Sequence, residues 1–249
     1  MNPFFVLGIA VLASCSTTLS VQAGYTQVEV GGSVALDTSG AGLGSAVEQG
    51  ISPGFGLGDP QGSPFVRVAA DLGGPQLTAS LFHFAERGSG TLAANFGGLP
   101  QATEVSSHLD FTCGKVSAAY AFVLGPVTVA PGLAMDLFDF DFRASDQFGN
   151  SEVIDELFGV PLVMLRAGVD VGGASLIAEA GYIEAPSVGN STSRFFDGEA
   201  IVSWSASSRV SFLAGYRYID VDATGETDTE TFAVDLQMRG WLIGGGFRF

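Results

Sequence analysis

Apolar and polar residues alternate along most of this chain with a period of two. That period marks strands with two unlike faces. In residues 25–37, Val28, Val30, Val34 and Leu36 share one face, and Gln27, Glu29, Ser33 and Asp37 the other. In residues 65–72, Val66, Val68, Ala70 and Leu72 oppose Arg67 and Asp71. Residues 160–171 set Val163, Leu165, Ala167, Val169 and Val171 against Met164, Arg166, Gly168 and Asp170. Residues 175–184 set Leu176, Ala178, Ala180 and Tyr182 against Ile177, Glu179 and Gly181. Residues 195–205 place Phe196, Ala200, Val202 and Trp204 opposite Asp197, Glu199 and Ser203. Residues 209–221 place Phe212, Ala214, Tyr216 and Tyr218 opposite Ser211, Gly215 and Arg217.

Three stretches break the pattern. Within residues 76–86, Phe82 and Phe84 take the face opposite Leu77, Ala79 and Leu81. In residues 105–124, Leu109, Phe111 and Cys113 have one parity, then Val116, Ala118, Tyr120 and Phe122 the other. In the last stretch, Phe232, Val234, Leu236 and Met238 give way to Trp241, Ile243, Phe247 and Phe249. A one-residue phase slip is what a bulge produces, so bulges are predicted near Gly114 and at Arg239-Gly240. Residues 127–142 end in a strict alternation, Phe138-Asp139-Phe140-Asp141-Phe142.

Tight turns are predicted at Gly73-Gly74-Pro75, Gly125-Pro126, Gly172-Gly173 and Ala206-Ser207-Ser208. Longer connections fall at residues 38–63, 87–104, 143–158, 185–194 and 222–230. In the third, Ser151 could cap a helical turn over residues 152–158. Long and short connections therefore alternate, and both termini lie on the tight-turn side. The reading is an all-β transmembrane antiparallel up-and-down β-barrel of about ten strands, with eight or twelve as alternatives.

Composition agrees. The 249 residues are 47% hydrophobic and 14% charged, with mean hydropathy +0.36. After the first dozen residues no apolar run approaches the roughly twenty a helical span needs. Soluble barrels and sandwiches also alternate. The aromatic residues separate the cases. Tyr120, Phe122, Trp204, Phe247 and Phe249 lie toward the tight turns; Phe138, Phe140, Phe142, Tyr182, Tyr216 and Tyr218 lie toward the long loops. Two such belts flanking an aliphatic zone match membrane interfaces. The mid-strand charges Arg67, Asp71, Arg166, Asp170, Glu179, Glu199 and Arg217 would then line a polar lumen and pair across it.

Gly215-Tyr216-Arg217-Tyr218 with Ile219-Asp220-Val221-Asp222, and the terminal Gly244-Gly245-Gly246-Phe247-Arg248-Phe249, resemble the final hairpin of small outer-membrane β-barrel proteins of Gram-negative bacteria. The resemblance implies a bacterial outer-membrane location. It also implies an assembly signal at Gly244, Phe247 and Phe249, read by the barrel-assembly machinery. Many members of that group have no assigned activity.

The first 23 residues read as an export signal, leaving residues 24–249 as the barrel domain. Phe4 begins a ten-residue apolar core, and Val21-Gln22-Ala23 offers a cleavage site before Gly24. Leu12-Ala13-Ser14-Cys15 resembles a lipobox and competes with it. Cys113, the other cysteine, is expected to pack as a small apolar residue.

The formal charge of −16 excludes nucleic acid as a partner. Outer-membrane lipid is the expected surrounding, and divalent cations could bridge acidic loops to anionic lipid. No cofactor, metal or catalytic set is legible, and the chain does not read as an enzyme. His83 and His108 flank the second long loop, where a hairpin would bring them together. Ser80 and His83 have opposite parity and would point apart. Asp139 and Asp141 with Asp37 and Asp197 could form an acidic lumenal rim favouring cations. Three roles follow: a structural or interaction barrel with acidic Gly-rich loops, a narrow porin-like channel for small solutes or cations, and an outer-membrane lipid-modifying enzyme. The first fits best.

Overall fold

The structure is a computed structural model, and it describes residues 18–37, 47–188, 191–226 and 231–249. The apolar export core and the lipobox at Cys15 lie outside the described residues. The chain runs β1 (Thr18–Asp37), β2 (Gln49–Gly50), α1 (Ile51–Phe55), β3 (Gln61–Asp71), β4 (Pro75–Thr91), β5 (Glu104–Tyr120) and β6 (Phe122–Leu124). It continues β7 (Val127–Asp146), β8 (Ser151–Val171), β9 (Ala174–Val188), β10 (Ser191–Ser205), β11 (Val210–Glu226) and β12 (Thr231–Arg248). Ten long strands pair antiparallel in sequence order, and β12 closes on β1. The wall is a closed up-and-down barrel. Two short strands are extra: β2 pairs β1 and β6 pairs β7.

The seam runs without a break from Ser20↔Arg248 to Asp37↔Thr231. Glycines let its two strands approach. A Cβ on Gly244 would lie 2.5 Å from the Ala23 carbonyl oxygen, and one on Gly246 would lie 2.5 Å from that of Val21. The four tight turns are where the sequence puts them. Leu72 N–H donates to Pro75 O, and Ala206 N–H to Val210 O. Gly172 and Gly173 both carry positive φ, the conformation that glycine adopts without a Cβ clash.

The longer connections differ from expectation. Strands continue far into them. Residues 143–158 are not a loop with a helical turn: β7 and β8 pair up to Ser145↔Ser151 around a short turn. Asp146 organises that turn, accepting the Phe148 and Asn150 N–H groups and the Asn150 side-chain amide. These bonds, the Asn150 side chain first, hold its carboxyl below the ordinary range. Likewise β9 runs to Val188 and β11 to Glu226.

Neither expected bulge exists. The pairings of β5 run unbroken through Gly114, and those of β12 through Gly240. What changes there is the solvent, not the register. On β7, Leu133, Met135 and Leu137 point out, followed on the same parity by Asp139, Asp141 and Arg143. Inward, Asp136 is followed by Phe138 and Phe142. On β5, Val116 and Gly114 face out, then Thr112, Asp110 and His108; inward, Ser117 and Lys115 give way to Cys113 and Phe111. The barrel thus inverts its polarity partway up. Its lower part is apolar outside and polar inside, and its upper part the reverse. On β7 the outward apolar run from Val127 to Leu137 covers about ten residues, or about 33 Å of strand. At a tilt of about 40° that gives the ~25 Å apolar band of an outer-membrane barrel. Above it the barrel stands in water and has an ordinary buried core.

The inversion corrects one aromatic belt. Phe138 and Phe142 are buried in the core, and Phe140 packs against it. The upper belt keeps Tyr182 and Tyr216 and gains Tyr25 and Trp241; Tyr216 and Trp241 meet edge-on at 4.8 Å. The lower belt of Tyr120, Phe122, Trp204, Phe247 and Phe249 is exposed as expected.

Candidate functional site

The lumen is the place to look for function, and it has three storeys. The lowest is a cavity of about 350 Å³ on the tight-turn side, lined by Arg67, Asp71, Gln76, Arg166, Asp170 and Arg248 among others. Asp71 is at its rim, accepting the Gly73 N–H and the Gln76 amide.

Above the cavity lies a layer of buried charge. Lys115 Nζ bridges Glu179 Oε1 at 2.7 Å and Asp197 Oδ2 at 2.8 Å. Arg166 donates Nε to Glu179 Oε2 at 2.8 Å, Nη1 to Gln76 and Nη2 to Thr78 and Ser117. Arg217 grips Asp197 with two bonds, Nε at 3.1 Å and Nη2 at 2.9 Å. Arg67 pairs with Glu199. Register explains part of the meeting: Arg166 faces Glu179 across neighbouring strands, while Arg217, which faces Glu199, reaches instead to Asp197 two residues along β10 and leaves Glu199 to Arg67. Four cations (Arg67, Lys115, Arg166, Arg217) meet four acids (Asp136, Glu179, Asp197, Glu199), so the formal charges of these residues cancel. Asp136 is the odd member. It is fully buried opposite Lys115 in register, yet neither of its carboxylate oxygens has a hydrogen-bond partner among the described residues.

Of the seven lumenal charges expected from sequence, Arg67, Arg166, Glu179, Glu199 and Arg217 join this layer, while Asp71 and Asp170 line the cavity below. Lys115 and Asp136 complete the layer and are not among those seven. The signal was present: once Val116 and Ala118, or Met135 and Leu137, face lipid, strand parity turns Lys115 and Asp136 inward.

The third storey is an aromatic core capped by a plug. Arg217 joins it to the charge layer, its guanidinium 5.3 Å from the Phe82 ring centre and its Nη2 3.6 Å from Cys113 Sγ. Cys113 is fully buried, as expected of a small apolar residue. Phe111 stacks on Phe138 at 5.5 Å. Higher still, Phe55 of α1 packs edge-on against Phe96 at 5.1 Å and Phe142 at 4.9 Å. Residues 49–59 turn into the mouth and are latched there. Glu86 accepts the Gly58 and Asp59 N–H groups, Ser107 Oγ donates to Phe55 O, and Gln49 Oε1 accepts the Ala93 N–H. The plug lies where the wall is split. β3 and β4 pair only from Asp71↔Gln76 up to Phe65↔Phe82, and α1 runs along β4 above that point. A second split opens above Val163↔Tyr182, between β8 and β9.

The other candidate chemistry is dispersed. His83 and Ser80 point to opposite faces, as expected. His83 faces outward, 3.4 Å from Asp110 and 3.1 Å from Thr112. His108 does not join it, because Thr112, the residue opposite His83, is four positions along β5, about 13 Å away. Asp139 and Asp141 face outward as well, so the acidic lumenal rim does not form; of that set, Asp197 is in the charge layer. Among the described residues no three His, Cys, Asp or Glu side chains converge as metal ligands.

No protein-family model and no curated protein matches the chain. Solved structures do. The outer-membrane protease OmpT of Escherichia coli superposes with a TM-score of 0.60 at 9% identity, over 94% of this chain and 96% of that one. The chain has the fold of the Gram-negative outer-membrane β-barrels. The translocator domain of the autotransporter NalP of Neisseria meningitidis also matches, with a TM-score of 0.47 at 16% identity over 99% of this chain and 94% of that one. So does Ail of Yersinia pestis, with a TM-score of 0.42 at 14% identity over 94% and 99%. With this fold and an apolar outer band, the chain is a barrel of the bacterial outer membrane.

Outside the bilayer, the wall of this outer-membrane barrel carries charge of both signs. Arg87, His108 and Arg143 form one outward row across β4, β5 and β7. On the opposite side, Asp220 and Asp222 of β11 and Asp235 of β12 stand together with Glu48 nearby. Burial, then Asp220, Asp222 and Glu48, push Asp235 above the ordinary aspartate value, against Arg194, which also bridges Asp222 at 3.1 Å. The sign follows. A carboxyl whose folded pKa is raised binds more protons in the folded state, so stability falls as pH rises from about 3.8 through the folded value. Hydrogen exchange in β11 and β12 near Asp235 should therefore slow as pH is lowered through that window, after correction for the intrinsic rate. Asp235→Asn should remove the dependence. A dependence that survives in the variant would assign it elsewhere.

Proposed function

We propose that this protein is a sealed outer-membrane barrel with a structural or interaction role, acting through the strand ends and loops that stand above the membrane. The observation that carries the reading is the double closure of the lumen. A charge layer spans the barrel within the bilayer, and an aromatic core with its latched plug fills the part above. A channel needs a continuous polar path, and a site that binds ions must also release them. Here the lumenal cations and acids are spent on each other, and the next storey is apolar. That disfavours the porin-like alternative.

The outward surface is the remaining functional surface. Its basic row, with the outward Asp110, Asp139 and Asp141 below it, and its acidic cluster lie on different walls, which suits charge-guided contact with a partner or with lipid head groups. Divalent cations would gather at the acidic wall as a counter-ion layer rather than in a built site. Phe247, Phe249 and Gly244 serve assembly in this reading: the aromatics face lipid, and the glycine lets the last strand close. No reaction is assigned. The likeness to OmpT is one of fold, and the His83–Asp110 pair lies exposed on the outer wall. Planar-bilayer recording of the purified barrel tests the proposal. No unitary current is expected at any polarity; stable unitary currents from the wild-type chain would overturn it.

A further inference from the structure

The first strand begins earlier than the sequence pattern alone placed it. Residues 18–23, within the segment that reads as an export signal, are barrel wall in the structure. On one side they pair β3 from Thr18↔Asp71 to Ala23↔Val66, and on the other they pair β12 from Ser20↔Arg248 to Ala23↔Gly245. Leu19 and the terminal Phe249 exchange both backbone hydrogen bonds, at 3.3 and 2.8 Å. The side chains alternate as a lipid-facing strand requires. Val21 and Ala23 face out, while Thr18, Ser20 and Gln22 line the lower cavity. The partner strand is cut to fit as well. A Cβ on Gly246 would meet Val21 O at 2.5 Å and the Gln22 side chain at 2.7 Å, so this glycine is small because residues 21 and 22 are there.

Cleavage before Gly24 would remove all of this. The lower end of β12, including Gly245, Gly246 and Phe247, would keep β11 but lose its partner on the seam side, and β3 from Val66 to Asp71 would keep β4 but lose its partner on the other side. Both edges would lie within or beside hydrocarbon, where an unpaired backbone group has no water to turn to. Closure is what permits a sheet to span a membrane at all.

We infer that the export signal is cut upstream of Thr18, in the Ala13–Thr17 stretch that contains the Ser14-Cys15 junction, and that residues 18–23 are a permanent part of the mature barrel. The Val21-Gln22-Ala23 motif resembles a cleavage site because a lipid-facing strand with small residues also satisfies that pattern. The processing enzyme would act within the five residues before the strand, on the tight-turn side.

Intact-mass measurement of the protein purified from outer membranes tests this. A mature terminus at residue 14, 15, 16, 17 or 18 supports it, whether or not Cys15 also carries acyl mass. A terminus at Gly24, or a retained Met1, overturns it. Ala23→Leu gives a second arm. Residue 23 faces lipid, so leucine fits the wall, but a bulky residue blocks cleavage after position 23. The variant is expected to show the wild-type terminus and wild-type heat-modifiable migration. Accumulation of the uncut precursor would count against the inference.

Discussion

Replacing Asp197 by Ala should be the most damaging single change in the barrel. The side chain is fully buried and holds Lys115 and Arg217 at once. Its removal leaves two buried cations short of a counter-charge, and breaking a buried pair from one side costs about 3–5 kcal/mol. The loss should appear as a lower urea midpoint of the folded, heat-modifiable species in detergent or liposomes. Asp136 supplies the control. It is as deeply buried, but its oxygens have no hydrogen-bond partner among the described residues, so Asp136→Asn should change stability by less than about 1 kcal/mol or raise it. The two aspartates have similar burial and opposite expected outcomes. Equal losses in the two variants would mean that the charge layer acts only through its overall charge balance, not through specific pairs.

The strands, their order and the side of the tight turns were legible in the sequence because they rest on the period of two and on Gly-Pro punctuation. The lipid-facing positions of the lower barrel, such as Val163 and Leu165 or Trp241 to Phe247, were legible for the same reason. What misled was the assumption that the apolar face is always the outer face. Phe82 and Phe84, Leu109 to Cys113, and Val234 to Met238 all lie where strands have left the bilayer. There the apolar set turns to a buried core, and the switch imitates a phase slip. A bulge and a change of solvent give the same sequence pattern, and only the unbroken pairings through Gly114 and Gly240 tell them apart. The long connections imitate loops in the same way. Residues 143–158 lose their lipid face, not their strand conformation. The charge layer was five residues legible, since mid-strand charges opposite aliphatic residues must face inward. The plug was not legible. Residues 49–59 carry no periodicity, and their position depends on glycines of another strand.

Those glycines make the plug testable. Gly88 and Gly90 face inward on β4, and a Cβ on Gly88 would lie 2.2 Å from the Gly56 carbonyl oxygen. Gly88→Val should therefore lift residues 49–59 away from the wall. Phe55→Ala should do so by a different route, losing the edge contacts to Phe96 and Phe142 and leaving a cavity, at about 3–5 kcal/mol for a buried Phe. The plug is attached by side-chain contacts and a few latching bonds rather than by a strand ladder. The loss should therefore be local, as faster hydrogen exchange in residues 49–59 with little change in heat-modifiable migration. Neither variant should conduct, because the Lys115–Asp197–Arg217 layer still closes the barrel below. Combining Phe55→Ala with Asp197→Ala removes support from both closures, and transient currents are expected only there. A current from Phe55→Ala alone would show that the charge layer does not seal, and the lumen would then have to be read as a gated path with the plug as its only door.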